Sequence, residues 1–266
     1  MGELVDKKFL IEALGVAESA ARSSGKILLS KYREIISTNP KGSKIQDLVT
    51  SADLESEKNI KQKIQATYPH HASLGEETGY HGSRENDFVW FIDPLDGTAN
   101  FVSQIPFFAI SVSLVFKNES ILGVIYLPVQ KELYTAVYDK GAFLNGKKTK
   151  TSRTTNLKTA TLSFCLGKTE KGREWWLKRI TRFVGDTYKL RSFGSTAMSC
   201  AFLASGRIDG HLAVGDFWDM AAGNVLIREA GGVTSDERGE KLTSKSKIIV
   251  AGNPKIHAEI LKKITL

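Results

Sequence analysis

The sequence predicts a layered α+β/α/β sandwich in αβαβα order: N-terminal helices and a mainly antiparallel sheet, followed by a smaller α/β half. Three observations carry this expectation. Apolar residues recur at helical spacing near the N-terminus. Between residues 88 and 144, apolar runs of strand length follow one another. From residue 160 onward, strands and helices alternate. The chain has 266 residues, 41% of them apolar and 25% charged. That is enough chain to bury a sizeable core.

Taken in order, residues 8–33 place Phe9, Leu10, Ala13, Leu14, Ala17, Ala20, Ala21, Ile27 and Leu28 on one face of a long amphipathic helix. Asn39 to Ser43 reads as a loop and Asp47-Leu48-Val49-Thr50 as a short extended piece. A second helix is predicted from a capping-box-like Thr50-Ser51-Ala52-Asp53 to Tyr68-Pro69. Residues 71–77 are extended and end in Gly75-Glu76-Glu77. Strands are predicted at 88–92, 107–116, 121–127, 132–138 and 142–144. Phe108, Ile110, Val112 and Leu114 alternate with Ala109, Ser111, Ser113 and Val115, which suits an antiparallel sheet covered on one face. Asn145-Gly146 is a hairpin turn.

Residues 146–158 are polar and basic, and mark a subdomain boundary between 1–146 and 147–266. Beyond it come strand 160–165, helix 170–183, strand 187–191, helix 195–205, strand 208–214, helix 219–230, strand 247–251 and helix 254–264. That order favours a more parallel half.

Net charge is +8, from 37 Lys and Arg against 29 Asp and Glu. The basic residues are scattered, and the densest groups are Lys147–Lys150 and Lys241–Lys247. No nucleic-acid motif accompanies them, which argues against nucleic acid as a partner. The start MGELVDKK lacks the apolar run of a signal peptide, and Asp6 stands where myristoylation needs Ser or Thr. No apolar run is long enough for a membrane helix. Cys165 and Cys200 are far apart in sequence, which fits a reducing cytoplasm. The five histidines show no zinc-ligand spacing.

The chemistry concentrates in acidic clusters. Glu76-Glu77 ends an extended segment. Asp93 and Asp96 flank Pro94-Leu95 where an apolar strand ends, followed by Gly97-Thr98. Asp219 opens a helix rich in small residues that ends in Gly231-Gly232. Singly, these read as a solvated turn, a loop and a helix N-cap. Together, Glu76, Asp93, Asp96 and Asp219 form an all-oxygen set suited to Mg²⁺, and two such ions could activate a water and stabilise a leaving oxygen. Gly97 and Thr98 offer backbone N–H groups and a hydroxyl to a phosphate. Gly141 to Lys147 nearly matches a P-loop, but Lys148 stands where Ser or Thr is required, so the hairpin reading holds. No G-x-S-x-G elbow is present.

Three blocks resemble the inositol monophosphatase family of Mg²⁺-dependent, lithium-sensitive phosphatases. They are Gly75-Glu76-Glu77, Trp90 through Phe101, and Trp218-Asp219-Met220-Ala221-Ala222-Gly223 through Gly232. The resemblance spans roughly residues 8–262. It implies two or three Mg²⁺ ions. Glu76, Asp93, the Leu95 carbonyl and Thr98 would hold the first, and Asp93, Asp96 and Asp219 the second, with Glu76 also serving a third. It implies that Gly97 and Thr98 hold the phosphate and that Thr98, oriented by Asp47, positions the attacking water. Ser195, Thr196 and Asp216 would join Asp96 and Asp219 at the substrate, and the chain would be a homodimer. In this family an acidic residue before the Trp-Asp motif binds the inositol ring. Here Ala213 or Leu212 occupies that place, with Asp216 nearby as a substitute.

The reading is a metal-dependent phosphate monoester hydrolase acting on inositol monophosphate or a similar small polyol phosphate by direct water attack. Fructose 1,6-bisphosphate, histidinol phosphate and 3′-phosphoadenosine 5′-phosphate remain as substrates of the same chemistry. A non-catalytic metal-binding regulatory protein is the rival from another class.

Overall fold

A computed structural model describes residues 5–38, 43–167 and 169–265, with backbone alone for 37–38 and 43–48. Helix α1 (Lys7–Thr38) lies against helix α2 (Ser43–Thr67). On α1 the buried stripe is Leu10, Ala13, Ala17, Ala20, Ala21, Leu28 and Tyr32, and Ile35 extends it past the predicted end at residue 33. Small polar residues stitch the pair together: Ser24 Oγ donates to the Ser56 carbonyl (3.1 Å) and Asn59 Nδ2 donates to Ser24 Oγ (2.7 Å).

The extended piece expected at Asp47–Thr50, and the capping box after it, are corrected. Both lie inside α2, which already starts at Ser43. Val49 is buried, and Ala52, Ser56, Ile60 and Ile64 follow it on one helical face. Packing of that face overrides the local β preference of Val49-Thr50.

The larger sheet holds β1 (Ala72–Gly75), β2 (Gly79–His81), β3 (Phe88–Asp96), β4 (Ala109–Phe116), β5 (Glu119–Leu127), β6 (Glu132–Val137), β7 (Gly141–Leu144) and β8 (Lys147–Thr149). Its order is β2-β1-β3-β4-β5-β6-β7-β8, and β1/β3 is its parallel pair. Asn145 and Gly146, both at positive φ (48° and 78°), join β7 to β8 as the Asn-Gly step predicts.

The sheet is covered on both faces, not one. Ile110, Val112 and Leu114 join the core beneath α1 and α2. The alternate face carries Ser111 and Ser113, which are also buried. Ser113 Oγ donates to the Leu122 carbonyl (2.7 Å) and Ser111 Oγ reaches the Trp218 carbonyl (3.5 Å). A serine whose hydroxyl has a carbonyl partner can sit in a core, so the alternation that reads as solvent exposure marks a second packed face.

The smaller sheet is built from β9 (Thr161–Cys165), β10 (Lys189–Arg191), β11 (Gly210–Val214), β12 (Val233–Ser235) and β13 (Ile248–Gly252). Its order is β10-β9-β11-β13-β12. β9 runs parallel to β10 and β11, whereas β13 is antiparallel to both neighbours. The short helix α3 (Thr98–Val102) follows β3. Helices α5 (Thr196–Ala204) and α6 (Phe217–Glu229) fill the space between the sheets. α6 is apolar nearly all round because it has a sheet on each side. Helices α4 (Glu170–Ile180) and α7 (Pro254–Thr265) cover the outer face through Trp176, Ile256 and Ile260. The five layers expected from sequence are thus in place. Among the described residues, no helix is long and apolar enough to cross a membrane.

Candidate metal and phosphate site

Strand β3 ends in an irregular step. Asp93 pairs with Ser111 and Asp96 with Ala109, so three residues on β3 advance only two on β4. This bulge brings both carboxylates to one end of the sheet. The Leu95 N–H returns to Asp93 Oδ1 (3.0 Å) and closes the turn. Parallel pairing sets Gly75 beside Ile92, and the Glu76 N–H donates to the Ile92 carbonyl (3.1 Å). Glu76 is therefore delivered next to Asp93. Asp219 arrives from the first turn of α6, where its Oδ2 accepts the Asp216 N–H (3.1 Å) in a capping box.

The three convergent side chains, Glu76, Asp93 and Asp219, offer carboxylate oxygens that all lie within 4.8 Å of one another. Asp93 is 1% exposed. Burial first, and then the charges of Asp96, Glu76, Asp219 and Asp53, push its carboxyl well above the usual carboxylate range. Such a set is costly unless positive charge sits among it, and its all-oxygen chemistry fits a hard divalent cation.

Asp96 lines the same cavity but leans on α5. Its Oδ2 accepts from Ser195 Oγ (2.5 Å) and the Ala197 N–H (2.6 Å). Burial raises it to about 6, although these bonds and one from the Thr196 N–H oppose the rise. Ser195 is buried, and its hydroxyl is committed to Asp96 while accepting from the Met198 N–H (3.1 Å). Thr196, Gly97, Thr98 and Asp216 line the cavity. The Thr98 hydroxyl donates to the Leu95 carbonyl (3.1 Å), joining two groups that the family resemblance implies lie near one ion. Gly97 has φ 100°, and a Cβ there would stand 2.8 Å from the Phe107 carbonyl, so only glycine suits the turn. The Asp47 side chain lies outside the described residues. Asp216 is ion-paired with Lys247. Leu212 and Ala213 are buried in β11.

Two acidic residues on α2 escaped the sequence reading of the site. Asp53 adds charge beside Asp93. Glu57, fully buried, accepts the N–H groups of Glu77 (2.8 Å) and Thr78 (3.2 Å) and the Thr78 hydroxyl, and pairs with Lys61 (2.9 Å). Burial raises Glu57, but hydrogen bonds from Thr78, Lys61 and the Glu77 N–H outweigh it and hold the carboxyl below its ordinary value. A Cβ on Gly75 would fall 2.3 Å from the Glu57 carboxylate, so this contact requires glycine. Glu57 thus clamps the turn that presents Glu76. The signal was available: a Glu beside the buried stripe Ser56, Ile60 and Ile64.

The cavity measures about 750 Å³ and continues from these carboxylates to Leu166, Trp175, Val214 and Ile248. The model of the inositol monophosphatase family matches residues 10–265. The Nus factor SuhB of Salmonella typhimurium is 36% identical over 249 residues, covering 91% of this chain and 92% of that protein. The extragenic suppressor protein suhB from Bartonella henselae superposes with a TM-score of 0.86 at 30% identity, over 96% of this chain and all of that one. An inositol monophosphatase from Anabaena (Nostoc) superposes with a TM-score of 0.85 at 31% identity, over 96% of each chain.

Proposed function

This chain belongs to the inositol monophosphatase family, and from that premise we propose that it hydrolyses phosphate monoesters of small alcohols, with Mg²⁺ as cofactor. Inositol monophosphate and related polyol phosphates are the first substrates to assay. The observation that carries the reading is the convergence of Glu76, Asp93 and Asp219 within 4.8 Å, beside Asp96 and the Gly97-Thr98 turn.

The donor set fits hard divalent cations. Glu76, Asp93, Asp96, Asp219 and the Leu95 carbonyl would hold them. Bound there, Mg²⁺ supplies the positive charge that phosphoryl transfer needs and lowers the proton affinity of the attacking water. The protein's own part is positional. Gly97 leaves the start of α3 open to the cavity, so its N–H groups can meet the phosphate oxygens. The Thr98 hydroxyl, which donates to the Leu95 carbonyl, would orient water for in-line attack. Ser195 and the first N–H groups of α5 keep Asp96 ionised and facing one way.

The test is phosphate release from inositol 1-phosphate, fructose 1,6-bisphosphate, histidinol phosphate and 3′-phosphoadenosine 5′-phosphate, with Mg²⁺ and with chelator. Release that depends on Mg²⁺ supports the proposal. Absence of release from every ester overturns it and favours a non-catalytic metal-binding protein. The comparisons lend no support to the expectation that nucleic acid is excluded as a partner, because curated relatives carry the name Nus factor.

A further inference from the structure

We propose that the side of the cavity away from the carboxylates is a site for an aromatic ring, and that the preferred substrate is a phosphate monoester whose alcohol carries an aryl group. This rests on the phosphatase reading above and narrows its substrate class.

The cavity is large for a short polyol phosphate. A cavity of about 750 Å³ lies in the upper part of the range, about 300–1,000 Å³, that encloses whole drug-sized molecules. A phosphate on a short polyol leaves much of it unfilled.

Contacts within the protein hold an aromatic platform on one side of the cavity. Trp175 lines the cavity from α4. Its neighbour Trp176 is buried, and Trp176 Nε1 donates to the Cys165 carbonyl at the end of β9 (2.8 Å). The two indoles meet edge to face at 5.6 Å, and the Arg179 guanidinium lies 4.4 Å from the Trp175 ring centre. A fixed indole contributes stacking and apolar area at little entropic cost. Leu166, Val214 and Ile248 complete an apolar wall. That wall is continuous with the reaction site, because Gly215, next to Val214, lies directly against Asp219 Oδ2.

The surface formed by Trp175, Leu166, Val214 and Ile248 is apolar, with Thr169 and Lys171 as polar groups at its edge. Leu212 and Ala213, at the place that family resemblance gives to a ring-binding acid, are buried in β11. Asp216, the substitute, is engaged by Lys247. Polyol hydroxyls laid against Trp175, Leu166, Val214 and Ile248 would give up water to apolar side chains, whereas an aryl ring would bury apolar surface there.

The test compares kcat/KM for 2-phenylethyl phosphate, ethyl phosphate and inositol 1-phosphate at saturating Mg²⁺. The first two esters release similar primary alcohols and differ in the ring alone. The expected result is a preference of at least about tenfold for the phenylethyl ester over ethyl phosphate, and a clear preference for it over inositol 1-phosphate. Trp175→Ala should bring the phenylethyl-to-ethyl ratio close to one, and Trp175→Phe should keep most of it. Leu166→Asn, at an exposed position outside the packed core, should lower the same ratio and serves if Trp175→Ala does not fold. A wild-type ratio near one, or a ratio that neither Trp175→Ala nor Leu166→Asn changes, overturns this inference while leaving the phosphatase reading intact. No turnover of any ester overturns the phosphatase reading, and this inference with it.

Discussion

The two sides of the cavity hold their shape by different means. Around Glu76, Asp93 and Asp219, position is set by directional bonds. These are the bulge that ends β3, the capping box on α6 and the Glu57 clamp under the Glu76 turn. Around Trp175, Leu166 and Val214, position is set mainly by packing, with α4 tied by Trp176 Nε1 to the Cys165 carbonyl and by Arg179 Nε to the Ile264 carbonyl. The carboxylate side has little freedom because like charges must face one another at fixed range. The apolar side can exchange one hydrophobe for another at small cost. A site divided this way can keep one reaction while changing which alcohol it accepts.

The largest effect should come from the charged side. Asp93→Asn is expected to lower phosphate release by about 10²–10³-fold. The same variant should melt at a higher temperature than wild type in chelator, because it relieves buried repulsion. A lower melting temperature without metal would break the account of Asp93.

The next effect concerns β11, which ends in the apolar wall at Val214 and carries His211 three residues earlier. His211 is fully buried, with Nδ1 bonded to Ser163 Oγ (2.8 Å) and Nε2 unpartnered. Burial depresses it from 6.5 to about 4. The folded state therefore binds fewer protons than the unfolded one between those values. Stability present above pH 6.5 is lost as pH falls towards 4, by roughly 3 kcal/mol. Thermal melts from pH 4 to 7 should show this slope, and His211→Gln should flatten it.

A smaller effect separates the two sides. Glu57→Gln weakens the clamp without emptying its space. It should lower activity by about 10–100-fold and raise the Mg²⁺ concentration needed for half-maximal rate. Trp175→Ala should leave that Mg²⁺ requirement where it is. If both variants shift it alike, the division between the sides fails. Smallest is Asn145→Ala, in the hairpin far from the cavity. Placing alanine at φ 48° and losing the bond from the Leu133 N–H to Asn145 Oδ1 (2.9 Å) should cost about 1–2 kcal/mol in a melt, with kcat unchanged.

The charged side was largely legible in the sequence because its turn is local. Asp93, Leu95, Asp96, Gly97 and Thr98 are contiguous, and the apolar strand before them fixes where they emerge. The fold was legible for a similar reason, since period and turn chemistry are short-range signals. What escaped was long-range. Glu57 lies twenty residues before Glu77 and acts through backbone N–H groups, which no side-chain pattern reveals. The start of α2 was misplaced because the packing of Val49 outweighs its local preference. Ser111 and Ser113 read as a solvent face because their partners belong to a neighbouring strand and to the start of α6. The Trp175 wall gathers bland residues from four separate segments, and only their convergence gives them meaning.

The proposed reaction depends on Glu76, Asp93 and Asp219 acting as one divalent-cation centre. Calorimetric titration of Mg²⁺ into the intact protein, and into Asp93→Asn and Asp219→Asn, tests it most directly. Saturable binding by the wild type, weakened at least about tenfold by either substitution, is the expected result. Equal binding by all three proteins, or none by the wild type, would contradict it.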